Sequence, residues 1–199
     1  MDYAFSVDGL TKFLNKTLAV DHLSFNIRKG MISGLLGPNG AGKTTTIRLL
    51  TTVLKPDEGT AKILNYDIIR DPLKVREVIG VLPEDTGLYD RLTPVEMLIF
   101  HGKLRGMRKD TIVEKTNDFL DMLELQKNRN QKIGTFSKGM KQKLALIRAM
   151  FHEPKVLFLD EPIVGLDVMS ARQIRNFVTE ESSRGTTIVL STHNMWEAQ

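Results

Sequence analysis

The sequence contains no cysteine in its 199 residues, which excludes a disulfide framework and a thiolate metal site. No apolar run approaches the roughly 18 residues of a membrane-spanning helix, so we expect no transmembrane segment. The first residues lack a basic stretch followed by an apolar one, and a secretion signal is therefore not expected.

What the sequence does contain is the composition of an ordinary soluble globular protein, with 41% hydrophobic and 26% charged residues. Its length suits one domain, or one core that carries an inserted subdomain. The net charge of +4 favours an anionic ligand only mildly. Because the lysines and arginines are scattered, we expect a solvated basic surface rather than a groove for nucleic acid.

Short apolar runs alternate with helical patterns, which predicts a parallel sheet flanked by helices. The predicted buried strands are Ile32–Leu36, Val156–Asp160 and Thr187–Ser191. A helix is predicted over Thr44–Leu54, because Pro56 would stop it. Another helix is predicted from about residue 170 to 183, with a capping box formed by Ser170 and Gln173.

The first thirty residues predict a different arrangement. Phe5–Leu10 and Leu23–Arg28 have strand patterns, and a turn around Asn15 would join them. Thr60–Leu64 could pair with these strands. We therefore predict a small antiparallel sheet beside the parallel one.

The middle of the chain, 87–150, is predicted to be almost entirely helical. Capping boxes are expected at Thr93–Glu96 and Thr111–Glu114. No strand signal interrupts this stretch. We interpret it as a helical subdomain inserted into a core that comprises 1–86 and 151–199, so that the whole chain, 1–199, forms one α/β domain.

The segment Gly37–Thr44 matches the pattern G-x-x-x-x-G-K-[ST] of a phosphate-binding loop, or P-loop. Its glycines let backbone N–H groups point inward, and the helix that follows adds its positive end. Lys43 is expected to reach the β- and γ-phosphates of a nucleoside triphosphate, and Thr44 to place its hydroxyl on Mg²⁺. A glycine-rich turn that only caps a helix is the alternative, and the flanking strand and helix argue against it. The residues predicted to bind nucleotide are Gly37, Pro38, Asn39, Gly40, Ala41, Gly42, Lys43, Thr44 and Thr45.

Two carboxylates end the predicted strand at Val156–Asp160. Asp160 lies at the C-terminal tip of the strand, which is the edge where ligands bind in open α/β sheets, and is predicted to hold Mg²⁺ through water. Glu161 lies one residue further and could orient or deprotonate an attacking water. Taken alone, the pair would be better explained as an acidic helix cap. With a P-loop present, the Mg²⁺ site is favoured.

Two other features allow both a structural and a functional interpretation. Ser137 is predicted as an N-cap, with Met140, Leu144 and Ile147 on the buried face of the helix after it. An exposed helix start of this kind can also bind an anion. His193 follows the last predicted strand at the same sheet edge, where both a structural and a functional role are open.

With these motifs in this order, the chain resembles the nucleotide-binding domain of an ABC transporter over nearly its whole length. GPNGAGKTT (Gly37–Thr45) resembles the family's Walker A motif, and VLFLDEP (Val156–Pro162) resembles Walker B with the catalytic glutamate. FSKGMKQ (Phe136–Gln142) stands in the place of the LSGGQ signature. Gly165–Asp167 resembles the D-loop, and Ser191–His193 resembles the switch histidine segment. Within the family, the chain is similar to the ATPases of ABC-2-type exporters of drugs, sodium and polysaccharides.

This resemblance implies a Mg²⁺-dependent ATPase that works as a head-to-tail dimer with two ATP molecules at its interface. Ser137 and Gly139 would contact the γ-phosphate held by the other subunit's P-loop. His193 would contact the γ-phosphate in its own site, Glu161 would act as general base, and Asp167 would lie at the dimer interface. The resemblance also implies a separate integral membrane permease as partner, a peripheral location at the cytoplasmic face of the membrane, and no nucleic acid partner.

Several positions depart from the family pattern. Glu84 stands where the Q-loop usually has glutamine, and its carboxylate could still approach Mg²⁺ or water. Lys138 replaces a usual glycine of the signature. The family position that stacks on adenine falls on Leu14. Phe13 beside it would stack on the base if the strand shifts by one residue, and otherwise apolar contacts alone would hold it.

Three functions compete at this point. The first is an ATPase subunit that couples ATP-driven dimer closure to export. The second is a soluble ABC protein acting on ribosomes or DNA, which the single nucleotide-binding domain and the lack of a long coiled-coil insertion disfavour. The third is a P-loop protein that binds nucleotide without hydrolysing it. The chain stops at Gln199, where family members continue, so the C-terminal end of the core sheet is expected to be missing.

Overall fold

The computed structural model describes residues 2–193 of the chain. The chain divides into two compact units. Unit 1 comprises Met1–Pro83, Pro154–Pro162 and Val178–Gln199, and unit 2 comprises Glu84–Glu153 and Ile163–Phe177. The organisation into one domain with the predicted subdomain boundaries stays a prediction.

The strands and helices alternate as the sequence patterns indicate. In chain order they are β1 (Tyr3–Leu14), β2 (Thr17–Arg28), β3 (Ile32–Leu36), α1 (Lys43–Leu50), β4 (Glu58–Ile63), β5 (Tyr66–Asp67), α2 (Pro72–Val78), β6 (Ile79–Leu82), α3 (Pro94–Leu104), α4 (Lys109–Met122), α5 (Lys138–Met150), β7 (Val156–Asp160), α6 (Val168–Ser183) and β8 (Thr187–Thr192). Short 3-10 turns lie at Gln126–Asn128 and Ile133–Thr135.

The predicted antiparallel sheet is present in unit 1, with the strand order β2-β1-β4-β5. Asn15 and Lys16 form the predicted turn between β1 and β2, with φ values of 47° and 70°. Such left-handed pairs match the twist of a tight hairpin. Both strands are longer than predicted, because the backbone ladder continues to the pair Leu14 and Thr17. The apolar sequence patterns on which the prediction was based cover only part of each strand.

The parallel sheet of unit 1 has the order β3-β8-β7-β6. All five residues of β7 are buried, as expected for a central strand covered on both faces. Leu36 pairs with Thr192, and Asp160 pairs with Ser191. The carboxyl ends of three neighbouring strands therefore meet at one edge. The strand β6 was not predicted, because its four residues follow α2 directly without a turn residue between them.

The helix α1 ends at Leu50, so the predicted end at Leu54 is wrong. Thr51 donates its hydroxyl to the Ile47 carbonyl at 2.8 Å, and Thr52 has a left-handed φ of 61°. The N–H groups of residues 53 and 54 then return to the carbonyl of Arg48. This C-terminal turn satisfies the last carbonyls of the helix before Pro56 is reached.

One of the three predicted capping boxes is confirmed. Thr93 and Glu96 exchange both hydrogen bonds of the motif at the start of α3, at 3.2 and 2.8 Å. The box at Thr111–Glu114 is wrong, because α4 already begins at Lys109 and Thr111 lies inside its first turn.

The capping box at Ser170 and Gln173 is also wrong. The helix α6 begins at Val168, and the carboxylate of Asp167 accepts hydrogen bonds from the Ser170 N–H at 2.9 Å and from its hydroxyl at 2.7 Å. Asp167 therefore holds the N-cap position, and Ser170 belongs to the first turn.

Unit 2 is helical, as the sequence predicted. Among its described residues there is no strand. The ring of Phe119 lies 6.2 Å from that of Phe151 and 6.5 Å from that of Phe177, and Leu144 and Ile147 of α5 are fully buried. Within residues 2–193, none of the helices has the length and apolarity that crossing a membrane would require.

Candidate functional site

The loop between β3 and α1 adopts a conformation that depends on its glycines. Gly40 and Gly42 have φ values of 84° and 85°, which disfavour any side chain. Gly42 is the N-cap of α1, and a Cβ atom there would lie 2.3 Å from the carbonyl oxygen of Ala19. No residue but glycine fits. The loop thus brings backbone N–H groups and the positive end of α1 together, as an anion-binding site requires.

Lys43, the first residue of α1, turns its side chain back over this loop. Its ammonium group donates to the carbonyl oxygens of Gly37 at 2.7 Å and Pro38 at 3.1 Å. It also lies 3.5 Å from Oε1 of Glu161. Only 9% of each of these two charged side chains is exposed. A positive charge is therefore fixed at the loop and beside the predicted general base.

Asp160, at the C-terminal end of β7, lies next to Thr44. The hydroxyl of Thr44 donates to Oδ1 of Asp160 at 3.2 Å. The hydroxyl of Ser191 donates to the same oxygen from the neighbouring strand β8. Ser191 was not predicted as a site residue, and its only sequence signal is a polar side chain at a strand tip. The two hydroxyls hold a carboxylate that is only 3% exposed.

These oxygen atoms fit the predicted Mg²⁺ ion. Mg²⁺ prefers hard oxygen ligands and is usually held by one or two carboxylates together with substrate phosphates and water. Thr44 and Asp160 offer one hydroxyl and one carboxylate next to the phosphate-binding loop. No cluster of three or more His, Cys, Asp or Glu side chains that could hold a metal occurs in the part of the chain that the structure describes.

Glu161 has an unusual backbone conformation, with a left-handed φ of 50°. A non-glycine residue there costs on the order of 1–3 kcal/mol and persists only where its surroundings impose it. Its N–H donates to the carbonyl oxygen of Ser191 at 3.2 Å and to the hydroxyl at 3.1 Å. Nδ1 of His193 lies 3.1 Å from both carboxylate oxygens. The structure thus brings the three predicted catalytic residues, Lys43, Glu161 and His193, together.

Phe13 lies near the end of β1, 47% exposed, in register with Leu18 of β2. The ladder shifts here by one residue: Lys12 pairs with Val20, and Ala19 is left without a partner in the pairing. A hollow of about 440 Å³ opens beside the P-loop. Its lining residues are Leu18, Ala19, Val20, Asp21, Leu23, Ala41 and Thr46. Phe13 is therefore next to a residue of this hollow and does not itself line it.

The other three predicted site residues belong to unit 2. Ser137 caps α5, since its hydroxyl accepts the N–H of Met140 at 3.2 Å, which confirms the predicted N-cap. Gly139 is packed so closely that a Cβ atom would lie 2.3 Å from the hydroxyl oxygen of Ser170. The hydrogen bonds from Ser170 lower the pKa of the Asp167 carboxyl. Glu84 is exposed at the start of the unit.

Comparison with known proteins identifies the family to which this chain is similar. The sequence profile of the ABC transporter family matches residues 20–164. The ABC transporter ATP-binding protein NatA of Bacillus subtilis is 39% identical over 182 residues, which cover 91% of this chain and 74% of NatA. The daunorubicin/doxorubicin resistance ATP-binding protein DrrA of Streptomyces peucetius is 38% identical over 195 residues, which cover 98% of this chain and 59% of DrrA.

A solved structure from the same family is also similar to this chain. The structure of cbiO1 from Clostridium perfringens, described as part of the ABC transporter complex cbiONQ, has a TM-score of 0.85 at 28% identity and covers 98% of this chain and 80% of that chain. The chain spans 74% of the length of NatA and 59% of that of DrrA. The predicted α/β P-loop fold is confirmed, and so is the resemblance on which the functional predictions were based. The chain belongs to the ABC transporter family and is one of its ATP-binding ATPase domains.

Proposed function

We propose that this chain binds ATP together with Mg²⁺ and hydrolyses it to drive export through a membrane permease. The observation that carries this proposal is the cluster in unit 1, where Lys43, Glu161 and His193 meet beside the P-loop and Thr44 meets Asp160. Phosphoryl transfer needs positioning and charge neutralisation more than covalent chemistry. This cluster offers both within a few ångströms.

Each side chain has a proposed task. The backbone N–H groups of the loop and the ammonium group of Lys43 bind the phosphates. Glu161 accepts a proton from the attacking water or orients it, and His193 holds the Glu161 carboxylate in place while facing the γ-phosphate. Thr44 and Asp160 hold Mg²⁺, which when bound would neutralise charge on the phosphates.

The proposal includes a second copy of this chain or of a similar ATP-binding chain. Ser137 and Gly139 begin a helix that is already capped within its own unit. Its exposed start would meet the γ-phosphate held by the partner in a head-to-tail dimer. Phe13 is proposed to contact the base, and Glu84 to approach the metal or its water. The family membership of the chain supports these assignments.

The permease and the location belong to the same proposal. The relatives bear the names of transporter and drug-resistance ATP-binding proteins, and cbiO1 is described as part of a transporter complex. We propose that this chain likewise binds a separate integral membrane protein at the cytoplasmic face of the membrane. Affinity purification from membranes should recover a polytopic membrane protein. Recovery of ribosomes or DNA instead would contradict this part.

Steady-state hydrolysis tests the catalytic part. Wild type should release phosphate from ATP only when Mg²⁺ is present, and Glu161→Gln should lose this activity by roughly 10²- to 10⁴-fold. Fluorescent ATP analogues should still bind to that variant. Lys43→Ala should instead weaken binding itself. A wild-type chain that binds ATP and Mg²⁺ without any turnover would favour a binding protein over an ATPase.

A further inference from the structure

Lys138 makes a contact that neither the capping of α5 nor the nucleotide site explains. It is the first residue of α5, and its ammonium group donates a hydrogen bond of 2.7 Å to the carbonyl oxygen of Val164. Both residues belong to unit 2. Val164 immediately precedes the D-loop residues Gly165–Asp167, and we call Ile163–Asp167, which lies between the strand β7 and the helix α6, the D-loop segment.

The surroundings of Lys138 make the contact specific. Gly165 has a left-handed φ of 68°, and a Cβ atom at this position would lie 2.6 Å from Nζ of Lys138. The absence of a side chain at Gly165 is therefore what leaves room for the ammonium group. The next residue of α5, Gly139, is in turn packed against Ser170 and Asp167 at the start of α6. The beginnings of α5 and α6 are thus fitted to each other.

The positive charge of Lys138 is unfavourable at the first position of a helix unless another group compensates for it. A cation at the first position of a helix is opposed by the helix dipole, so α5 would form more readily with a neutral or acidic residue there. The carbonyl of Val164 compensates for this, since it accepts a hydrogen bond from a charged donor. The signature of the family usually has glycine here, which cannot make such a contact.

We propose that Lys138 is a positioning residue for ATP hydrolysis, which fixes the conformation of the D-loop segment from α5 of the same chain. The inference rests on the proposed function, because the D-loop segment begins two residues after the proposed general base and ends at Asp167, which the family resemblance places at the dimer interface. Lys138 acts through Val164 and does not bind the phosphates.

The first test needs no nucleotide. Hydrogen exchange measured by mass spectrometry on peptides that cover 163–167 should become about two- to tenfold faster in Lys138→Met, since a hydrogen bond of this kind is worth that much net. Lys138→Arg should exchange like wild type. Lys109→Met is the matched control, because Lys109 is likewise the exposed first residue of a helix in unit 2. Unchanged exchange in Lys138→Met, or an equal rise in Lys109→Met, would overturn the proposal.

The second test separates positioning from binding. In Lys138→Met, kcat for ATP should fall about three- to tenfold while KM stays within about twofold, because the net value of the lost hydrogen bond is of that order. Lys138→Arg should restore at least half of the rate. A raised KM with unchanged kcat would make Lys138 a phosphate ligand and would refute the inference. Faster hydrogen exchange without any loss of kcat would also refute it. If wild type hydrolyses no ATP, the proposed function fails, whereas the exchange measurement still decides on the contact.

Discussion

Nδ1 of His193 lies 3.1 Å from both carboxylate oxygens of Glu161. The ammonium group of Lys43 lies 3.5 Å from Oε1 of the same carboxylate. Glu161 itself is held in a left-handed conformation by two hydrogen bonds to Ser191. The position of this carboxylate is therefore determined by three neighbours, as expected for a side chain that must meet a small reacting group.

The contact predicts that His193 acts through Glu161 as well as on ATP. We expect His193→Ala to lower kcat by roughly 10- to 100-fold with ATP affinity changed by only about threefold, because loss of an orienting partner misplaces the base. The double variant with Glu161→Gln should be no slower than Glu161→Gln alone, since residues that act as a unit are not additive. Additive losses would show that the two residues act independently.

Gly42 predicts a steric effect that can be separated from backbone strain. Gly42→Ala places a Cβ atom 2.3 Å from the Ala19 carbonyl oxygen, so we expect the free energy of unfolding to fall by about 2–4 kcal/mol. Gly40→Ala is the matched control, because Gly40 has the same left-handed φ but open space around it. It should lose only about 1–2 kcal/mol. Urea unfolding without nucleotide measures both, and equal losses would contradict the predicted clash.

How far the sequence predicts this site depends on the kind of interaction. The P-loop and the pair of Asp160 and Glu161 are local motifs, so their spacing was sufficient to find them. The bond from Ser191 to Asp160 depends on the register of β7 against β8, which no local pattern contains. The left-handed backbone of Glu161 follows from the same register, because both of its hydrogen bonds go to Ser191.

The errors at helix ends have a similar cause. The pattern of Ser170 and Gln173 fits a capping box, but Asp167 three residues earlier already caps the helix, because its carboxylate accepts the N–H of Ser170. The strand β6 was missed because four residues that directly follow a helix carry no boundary signal. At α6 a competing neighbour decided where the helix begins, and at β6 the pairing with the distant strand β7 decided the structure.

The corrected cap at α6 makes a prediction of its own. Asp167→Ala should lower the free energy of unfolding by about 0.5–2 kcal/mol, because the first turn of α6 loses its acceptor. Asp167→Asn keeps an acceptor and should cost much less. Ser170→Ala removes only the bond between the two side chains and should cost less than Asp167→Ala. If Ser170→Ala proved the more destabilising of the two, Asp167 would not be the cap.

His101 predicts a pH dependence of stability. Burial lowers the pKa of His101 to about 4, and the nearby Arg148, Arg105 and His152 contribute repulsion. Between pH 6.5 and 4, His101 therefore binds a proton in the unfolded chain but not in the folded chain. The free energy of unfolding should fall as pH falls through this window, and His101→Gln should remove that part of the slope. Urea titrations at several pH values measure it.

His22 serves as the control of opposite sign. A hydrogen bond to Asp21 raises the pKa of this exposed histidine, so its contribution is present below pH 6.5 and is lost as pH rises through the raised pKa. His22→Gln should therefore leave the loss of stability between pH 6.5 and 4 in place. An identical flattening by both variants would mean that histidine content, and not the burial of His101, sets the slope.

Ser191 tests whether the hydroxyl that the sequence did not identify matters for the metal site. Its hydroxyl donates to Oδ1 of Asp160, the oxygen that also accepts from Thr44, and Ser191 is fully buried. We expect Ser191→Ala to let the Asp160 carboxylate turn away, so that the Mg²⁺ concentration needed for half-maximal hydrolysis rises about 10- to 100-fold, as is typical when a metal ligand loses a hydrogen-bond partner. Ser182→Ala, which removes a half-buried hydroxyl bonded to the carbonyl of Gly30, controls for the loss of a bonded serine hydroxyl elsewhere in unit 1. If Ser191→Ala kept its Mg²⁺ requirement but lost stability, the hydroxyl would support the strand end and not the ion.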